Sequence, residues 1–108
     1  MKDKIRIYIS GPIRGHEDYK ERFADAASAL KGAGYTCVNP ALLSLVIPDK
    51  SDDWYLDYDE YLITLCDAIV FLSGSEKSQG CQRERKMAQF WGLQLYDMAT
   101  DTFKEDWT

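Results

Sequence analysis

The chain has 108 residues, of which 45% are apolar and 29% are charged, and this balance is typical of one globular domain rather than of two domains or a disordered segment. Its 18 Asp and Glu residues outnumber the 13 Lys and Arg residues, so the net charge is −5. An acidic surface repels nucleic acid. We therefore expect a single domain over residues 1–108 that does not bind nucleic acid.

The first third of the chain predicts a strand, a turn, a helix and a second strand. Apolar and polar residues alternate over 5–9, which indicates a strand, and the turn residues Ser10–Gly15 end it. From Asp18 the apolar residues recur at helical spacing until two glycines stop the pattern, with an inward stripe of Phe23, Ala26, Ala27 and Leu30. Residues 35–38 predict a short second strand.

The rest of the chain predicts, in order, a long loop (40–53), a helix (54–65), a buried strand (68–72), a turn (73–77), a helix (78–91), an edge strand (93–96) and an acidic tail (97–108) to which we assign no structure. The loop is long for so small a domain, which makes it a candidate functional segment. Asp52 or Asp53 is expected to cap the second helix, and Ser78 is expected to cap the third.

The element order βαβαβαβ predicts an α/β fold. We expect a small doubly wound, flavodoxin-like or Rossmann-like parallel sheet of about four strands with helices on both faces. In such folds ligands bind at the carboxyl ends of the strands. In this chain the ends of the first three strands are Ser10-Gly11, Asn39-Pro40 and Ser73-Gly74.

The turn after the first strand is a candidate ligand-binding turn. It lacks the G-x-G-x-x-G pattern, so we do not expect a dinucleotide cofactor. Gly11 and Gly15 would let backbone N–H groups approach an anion or a sugar, and Arg14 could add a charge. An ordinary strand-to-helix turn is an equally good interpretation of the same residues.

Glu84 is a charged residue on the presumed inward face of the third helix. The residues that share this face at helical spacing are Gly80, Met87, Ala88 and Trp91. A carboxylate on a core-facing stripe is unusual and indicates a functional role. A surface glutamate paired with an arginine is the alternative.

Asp59 is a second candidate, beside the apolar stripe of the second helix, which consists of Tyr55, Tyr58, Leu62 and Leu65. The second and third helices both begin at the carboxyl edge of the sheet, so Asp59 and Glu84 can converge there. A pair of carboxylates suits the chemistry of a glycosidic bond, and the phenol of Tyr8 could orient one of them. An acidic helix start favoured by the helix dipole is the competing explanation for Asp59.

The three cysteines, Cys37, Cys66 and Cys81, form no C-x-x-C pair, and His16 has no metal-ligand partners at suitable spacing. We expect no metal and no cofactor. We recognise neither a signal peptide nor a membrane-spanning run, so we expect a cytoplasmic protein without a membrane partner. A homo-oligomer is expected.

Three motifs occur together in the chain. They are the run Tyr8–Gly15, Asp59 placed eight residues before the run Asp67–Val70, and Ser78-Gln79-Gly80 with Glu84 four residues further on. Together, over residues 5–96, they resemble the nucleoside 2-deoxyribosyltransferase superfamily, especially its short bacterial and phage domains of undefined function. The deoxynucleoside 5′-monophosphate N-glycosidases are related enzymes.

The resemblance implies roles for individual residues. Glu84 matches the nucleophile that attacks C1′ of the deoxyribose, Asp59 matches the acid that assists departure of the base, and Tyr8 matches a tyrosine that positions the nucleophile. Ser78 and Gly80 match positions that bind a 5′-phosphate. The turn expected to close around the substrate consists of Ser10, Gly11, Pro12, Ile13, Arg14 and Gly15.

The chain departs from the family pattern on either side of Glu84. Arg83 replaces a bulky apolar or aromatic residue and Arg85 replaces an apolar one, so the charge around Glu84 is expected to differ. The expected function is cleavage or transfer at the N-glycosidic bond of a deoxynucleoside or its 5′-monophosphate. The alternatives are a catalytically inactive nucleotide-binding module that senses or sequesters its ligand, and an interaction protein that uses the aromatic second helix and residues 42–47.

Overall fold

The computed structural model describes residues 5–98, which form one four-stranded parallel sheet. The strands are β1 (Arg6–Ser10), β2 (Thr36–Val38), β3 (Ala68–Phe71) and β4 (Gln94–Asp97). Their order across the sheet is β2-β1-β3-β4, and each neighbouring pair is parallel. The strand order reverses between β1 and β3, so a crevice for a ligand is expected outside the carboxyl ends of these two strands.

The helices lie on both faces of the sheet, as predicted. They are α1 (Tyr19–Gly32), α2 (Leu43–Val46), α3 (Asp52–Thr64) and α4 (Gln79–Phe90). α1 packs on one face, and α3 and α4 pack on the other. Within residues 5–98, no helix has the length and apolar character needed to cross a membrane.

Alternation along β1 divides its side chains between the two faces. Ile7 and Ile9 pack against α1, whereas Tyr8 packs against Ile63 of α3 and Ala88 of α4. Side chains at positions i and i+2 of a strand point the same way, so Ser10 shares the face of Tyr8. β1 therefore presents two hydroxyl groups to the helix pair α3 and α4.

The prediction of a loop over residues 40–53 is wrong for the first half of this segment, which is helical. Residues Pro40–Leu42 form a 3-10 turn that leads directly into α2. The side chain of Asn39 accepts a hydrogen bond from the N–H of Ala41 at 3.1 Å, and Pro40 occupies the first helical position. Asn-Pro therefore starts a helical turn here as well as ending a strand, because Asn caps and Pro fits the first turn.

The start of the second long helix also differs from the prediction. Ser51, not Asp52 or Asp53, is the N-cap of α3, and its Oγ accepts a hydrogen bond from the N–H of Trp54 at 3.1 Å. Asp52 and Asp53 occupy the first turn, where the helix dipole favours negative charge. Ser78 is the N-cap of α4, as predicted. Of the predicted acidic tail, Asp97 belongs to β4 and residues 99–108 lie outside the described residues.

The residues of α3 and α4 that we predicted to face inward are only partly buried in the structure. Tyr58 and Leu65 are 40% and 47% exposed on α3, and Trp91, just after α4, is 49% exposed. The fully buried positions are Ile63 on α3 and Ala88 on α4. Tyr58 and Tyr61 lie on one side of α3 and Ile63 lies on the opposite side, so the hydrophobic pattern does not fix which face turns inward.

Candidate active site

Glu84 lies in α4 and is buried, with 6% of its surface exposed. The hydroxyl of Tyr8 donates a hydrogen bond to its Oε2 at 2.5 Å, and the hydroxyl of Ser10 donates one to its Oε1 at 2.7 Å. A buried carboxylate is costly unless its oxygens are hydrogen-bonded. The two same-face hydroxyls of β1 satisfy both oxygens of Glu84.

The helical position of Glu84 explains why it points inward. Cys81 and Ala88, three residues before and four residues after it, are buried on the same side of α4. Gln82, Arg83 and Lys86 are exposed, as predicted for the other faces of this helix. The alternative of a surface glutamate paired with an arginine is therefore wrong for Glu84.

Asp59 reaches the same cluster from α3. It is half-buried, and its Oδ1 is a buried atom that has no hydrogen-bond partner among the residues that the structure describes. Its carboxyl group interacts with the hydroxyl of Tyr8 and with the carboxyl group of Glu84. The structure thus brings together three side chains that the sequence singled out from three separate elements.

The electrostatics of the cluster favour protonated forms. Burial raises the pKa of Glu84, the negative charge of Asp59 raises it further, and the hydroxyls of Tyr8 and Ser10 oppose the rise. Burial also raises the pKa of Asp59. Two adjacent carboxyl groups with raised pKa values titrate as a pair, so near neutral pH they can share one proton.

Tyr8 remains a hydrogen-bond donor throughout the physiological range. Burial raises the pKa of its phenol well above the ordinary value, and the charges of Glu84 and Asp59 add to this. The phenol therefore keeps its proton. It acts as a fixed donor to Glu84 rather than as an acid or base.

Two ion pairs connect the turn after β1 and the helix α4 to the start of α3. Arg14, in the turn after β1, pairs with Asp52, and Arg83 of α4 pairs with Asp53 at 3.1 Å. All four side chains are largely exposed, so each pair contributes little to stability. Arg14 is engaged with Asp52 in this structure and does not contact Glu84.

Arg85, the other departure from the family pattern, is half-buried. Its guanidinium carbon lies 4.0 Å from the centre of the Phe71 ring, a cation–π contact at the end of β3. The ring of Phe71 packs against the guanidinium group of Arg85. The side chain of Arg85 is therefore only partly exposed to solvent.

The predicted substrate-binding turn divides into a buried and an exposed part. Ser10, Gly11 and Pro12 are buried, whereas residues 13–15 are exposed. A Cβ atom on Gly11 would lie 2.8 Å from Leu72, so the glycine allows close packing of the turn, and the explanation from ligand approach is not needed. Gly15 has φ +80° with open space around it, as a turn glycine requires.

The start of α4 has the features of an anion site. Its first N–H groups, those of Gln79 and Gly80, have no intrahelical acceptor, while Ser78 Oγ accepts the N–H of Cys81 at 3.3 Å. A Cβ on Gly80 would make only an ordinary contact, 3.8 Å from Ser78 Oγ. Space and donors are therefore present where the sequence placed Ser78 and Gly80.

The open grooves lie beside the carboxylate pair rather than over it. One, of about 380 Å³, runs along α3 and is lined by Trp54, Asp57, Tyr58 and Tyr61. Another, of about 340 Å³, lies on the α1 side and includes Arg22, Ser73 and Met98. Neither groove is lined by Glu84 or Asp59.

One contact at the site was missed at the sequence level. Ser10 was assigned to substrate binding, but its hydroxyl bonds Glu84. The signal that could have found it is the period of two along β1, which aligns position 10 with Tyr8. Among residues 5–98, no three His, Cys, Asp or Glu side chains cluster to form a metal site.

The sequence of the chain matches a known protein family. The sequence model of a family described as a domain of unknown function, DUF4406, matches residues 5–97. The chain belongs to this family. A comparison of the DUF4406 domain with curated protein sequences finds no significant match.

Solved structures with the same fold carry enzyme names. The DUF4406 domain is similar to the CMP N-glycosidase of Clostridium botulinum, with a TM-score of 0.61 and 22% identity, over 85% of this chain and 69% of that one. It is also similar to the 2-deoxyribosyltransferase of Leishmania mexicana, with a TM-score of 0.68 and 23% identity, over 91% of this chain and 66% of that one.

These similarities confirm the fold that the resemblance to the deoxyribosyltransferase superfamily implied. Identities of 22% and 23% show a shared fold and do not by themselves transfer an activity. The DUF4406 domain spans about two thirds of the length of each enzyme. Its chemistry must therefore be argued from its own residues.

Proposed function

We propose that this domain cleaves or transfers the N-glycosidic bond of a deoxynucleoside or a deoxynucleoside 5′-monophosphate, with Glu84 as the nucleophile. The observation that supports the proposal is the buried pair of carboxyl groups, in which Glu84 accepts two hydroxyl donors and Asp59 keeps a buried oxygen without a partner. Such a pair supplies one base and one acid within a single site.

In the first step, one carboxylate oxygen of Glu84 attacks C1′ while the bond from C1′ to the base nitrogen breaks. The bonding electrons pass to the base, and the proton on Asp59 neutralises it as it leaves. Burial raises the pKa of Glu84 more than that of Asp59, so the shared proton first passes from Glu84 to Asp59. The hydrogen bonds from Tyr8 and Ser10 stabilise the charged Glu84 that this transfer leaves. The product is a glycosyl ester of Glu84.

In the second step, water attacks C1′ on the face that the base has left, opposite the ester bond to Glu84. Asp59, now a carboxylate, removes a proton from water as the water oxygen bonds to C1′ and the ester bond to Glu84 breaks. Hydrolysis then releases the free sugar or sugar phosphate. If a second base takes the place of water, the same step transfers the sugar to that base.

The start of α4 is the proposed phosphate site. A phosphate there would accept hydrogen bonds from the N–H groups of Gln79 and Gly80 and from the hydroxyl of Ser78, in the field of the helix dipole. One structural neighbour is named for CMP, a ribonucleotide, and another for deoxyribosyl transfer. The test must therefore include ribonucleotides, with and without the phosphate.

We further propose a homodimer formed by α3 and α4. Phe90 is 78% exposed at the end of α4, and the exposed Lys86 lies one turn before it. The groove on α3 is aromatic and contains the exposed Asp57. In a twofold pairing, each Phe90 enters the groove of the other copy and each Lys86 meets Asp57 of the partner subunit, so shape and charge match twice.

The second candidate function is a catalytically inactive nucleotide-binding module. The observation that favours it is the enclosure of Glu84, which leaves the carboxylate almost inaccessible in the isolated chain. Such a module would bind a nucleotide at the start of α4 without breaking a bond. The interaction protein is the remaining alternative, and it predicts neither binding nor turnover.

The proposed activity is tested by incubating the protein with deoxynucleosides, ribonucleosides and their 5′-monophosphates, with and without an acceptor base. Free base is measured by chromatography, and ligand binding is measured by calorimetry on the same panel. We expect base release by the wild type and none by Glu84→Gln. Glu21→Gln, on the exposed face of α1, is the matched control and should retain activity.

Three results would contradict the proposal. Binding without release across the panel supports the inactive module. Neither binding nor release supports the interaction protein. Equal release by the wild type and by Glu84→Gln would show a reaction that does not use Glu84 as the nucleophile.

A further inference from the structure

Ser10 is the residue whose contacts differ most from its expected role. Its side chain is fully buried, so a substrate at the rim cannot reach its hydroxyl without displacing neighbouring side chains. That hydroxyl donates to Oε1 of Glu84 at 2.7 Å, and the hydroxyl of Tyr8 donates to the other oxygen. Ser10 and Tyr8 thus divide the two oxygens of one carboxylate between them.

The two oxygens are not equivalent with respect to the sheet. Tyr8 lies inside β1, whereas Ser10 is its last residue, about 6.6 Å further along the strand. Ligands of doubly wound folds bind outside the carboxyl ends of the strands. The hydroxyl that holds Oε1 comes from the last residue of β1, next to this carboxyl edge, whereas the hydroxyl that holds Oε2 comes from a residue inside the strand.

We infer that Ser10 is a positioning residue, which orients Oε1 of Glu84 as the attacking oxygen and does not itself bind substrate. This inference rests on the proposed function. Oε1 has a second lone pair that remains free for C1′ while Ser10 occupies the first. When Oε1 bonds to C1′ and the bond from C1′ to the base breaks, the electrons and the Asp59 proton go to the base. Ser10 keeps its own proton throughout.

The neighbours of Ser10 are consistent with a fixed hydroxyl. The titratable groups that face Glu84 are Tyr8 of β1, Asp59 of α3 and Cys81 of α4. The hydroxyls of Ser10 and Ser78 both interact with the Cys81 thiol, whose pKa is raised by burial, so the thiol stays protonated and neutral. The thiolate form is therefore not available to compete with Glu84 for the Ser10 proton.

The test separates positioning from substrate binding by a measurement that needs no substrate. The side-chain carboxyl carbons of glutamate are labelled with ¹³C, and the titration of Glu84 is followed by NMR, with its signal assigned from Glu84→Gln. In Ser10→Ala we expect the apparent pKa of Glu84 to rise by roughly one pH unit, because a donor to the charged form is lost. In Ser10→Thr, which keeps a hydroxyl, it should stay near the wild-type value.

Ser75→Ala is the matched control, because Ser75 is a second buried serine at the same edge and makes no side-chain hydrogen bond to Glu84 among the described contacts. Its Glu84 titration should match the wild type. Circular dichroism confirms that each variant is folded. If Ser10→Thr does not fold, the comparison of Ser10→Ala with Ser75→Ala decides the question.

Kinetics supply the second readout. With a substrate from the panel above, Ser10→Ala should lower kcat roughly 10- to 100-fold and leave KM within about twofold, because the lost contact acts on the nucleophile. An unchanged Glu84 titration would overturn the inference, and so would a raised KM with unchanged kcat. If the wild type releases no base at all, the proposed function fails, while the NMR titration still decides whether Ser10 holds Glu84.

Discussion

Replacing Glu84 by Gln should stabilise the fold, and more so at higher pH. In the folded protein burial raises the pKa of Glu84 above its value in the unfolded chain, so the folded state binds the proton more tightly. The stability that this proton contributes is fully present below the unfolded pKa of about 4.3 and is lost as the pH rises through the folded pKa. Gln has no such proton to lose.

The expected magnitude follows from the contacts of Glu84. Burial of a carboxyl group raises its pKa by up to about 3–5 units, or roughly 4–7 kcal/mol at 1.36 kcal/mol per unit. Two hydroxyl donors to the charged form offset about 1.5–3 kcal/mol each. Taken at matching ends of the two ranges, the net gain for Glu84→Gln is about 1 kcal/mol at alkaline pH, and it is close to zero near pH 4.

The assay is urea denaturation of the wild type, Glu84→Gln and the exposed control Glu21→Gln at several pH values. In thermal melts of the same proteins, a gain of about 1 kcal/mol corresponds to a rise in Tm of roughly 4–8 °C for a domain of this size. A stability difference between Glu84→Gln and the wild type that does not change with pH would refute the argument. So would a loss of stability in Glu84→Gln at alkaline pH.

Three other changes test separate parts of the structure. Gly11→Ala should lower stability by about 1–3 kcal/mol in thermal melts, because the new Cβ would lie 2.8 Å from Leu72, whereas Gly80→Ala should change it by less than about 1 kcal/mol; equal losses would contradict the packing explanation. Asp59→Asn should lower the first-turnover rate of base release roughly 10²–10⁴-fold for nucleosides but much less for a deoxyriboside whose leaving group needs no proton, such as nitrophenolate. The first turnover is measured because Asp59 also serves as the base of the second step, and an equal first-turnover loss on both substrates would show that Asp59 is not the acid. Phe90→Asp should convert a dimer to a monomer in light scattering, whereas Gln89→Asp should not, and a dimer that survives Phe90→Asp would contradict the α3–α4 interface.

Local periodicity was sufficient to predict the sheet and the convergence of the site. The alternation over 5–9 and the apolar run 68–72 correspond to the two central strands, and parallel connectivity brings the starts of α3 and α4 to one edge. The meeting of Asp59 with Glu84 follows from that topology. The structure brings both to the carboxyl side of β1.

Features that depend on the orientation of one helix or one capping side chain could not be predicted. Ser51 is followed by two aspartates that could also cap α3, and in the structure it is the Ser51 hydroxyl that accepts the hydrogen bond from the N–H of Trp54. α3 carries the aromatic Tyr58 on one side and the aliphatic Ile63 on the opposite side, so which of them is buried depends on how α3 packs against the sheet and α4. The period of two along β1 aligns Ser10 with Tyr8, but the bond from Ser10 to Glu84 also requires α4 to pack on that face of β1, and no local pattern contains this tertiary contact.

The most direct test of the central claim is to look for the covalent intermediate. The protein is mixed with an active substrate from the panel, quenched in acid within the first turnover, and analysed by intact-mass and peptide mass spectrometry. The account predicts an added glycosyl mass on the peptide that contains Glu84, absent from Glu84→Gln and retained in Glu21→Gln. Base release with the adduct on another residue, or undiminished release by Glu84→Gln, would contradict it.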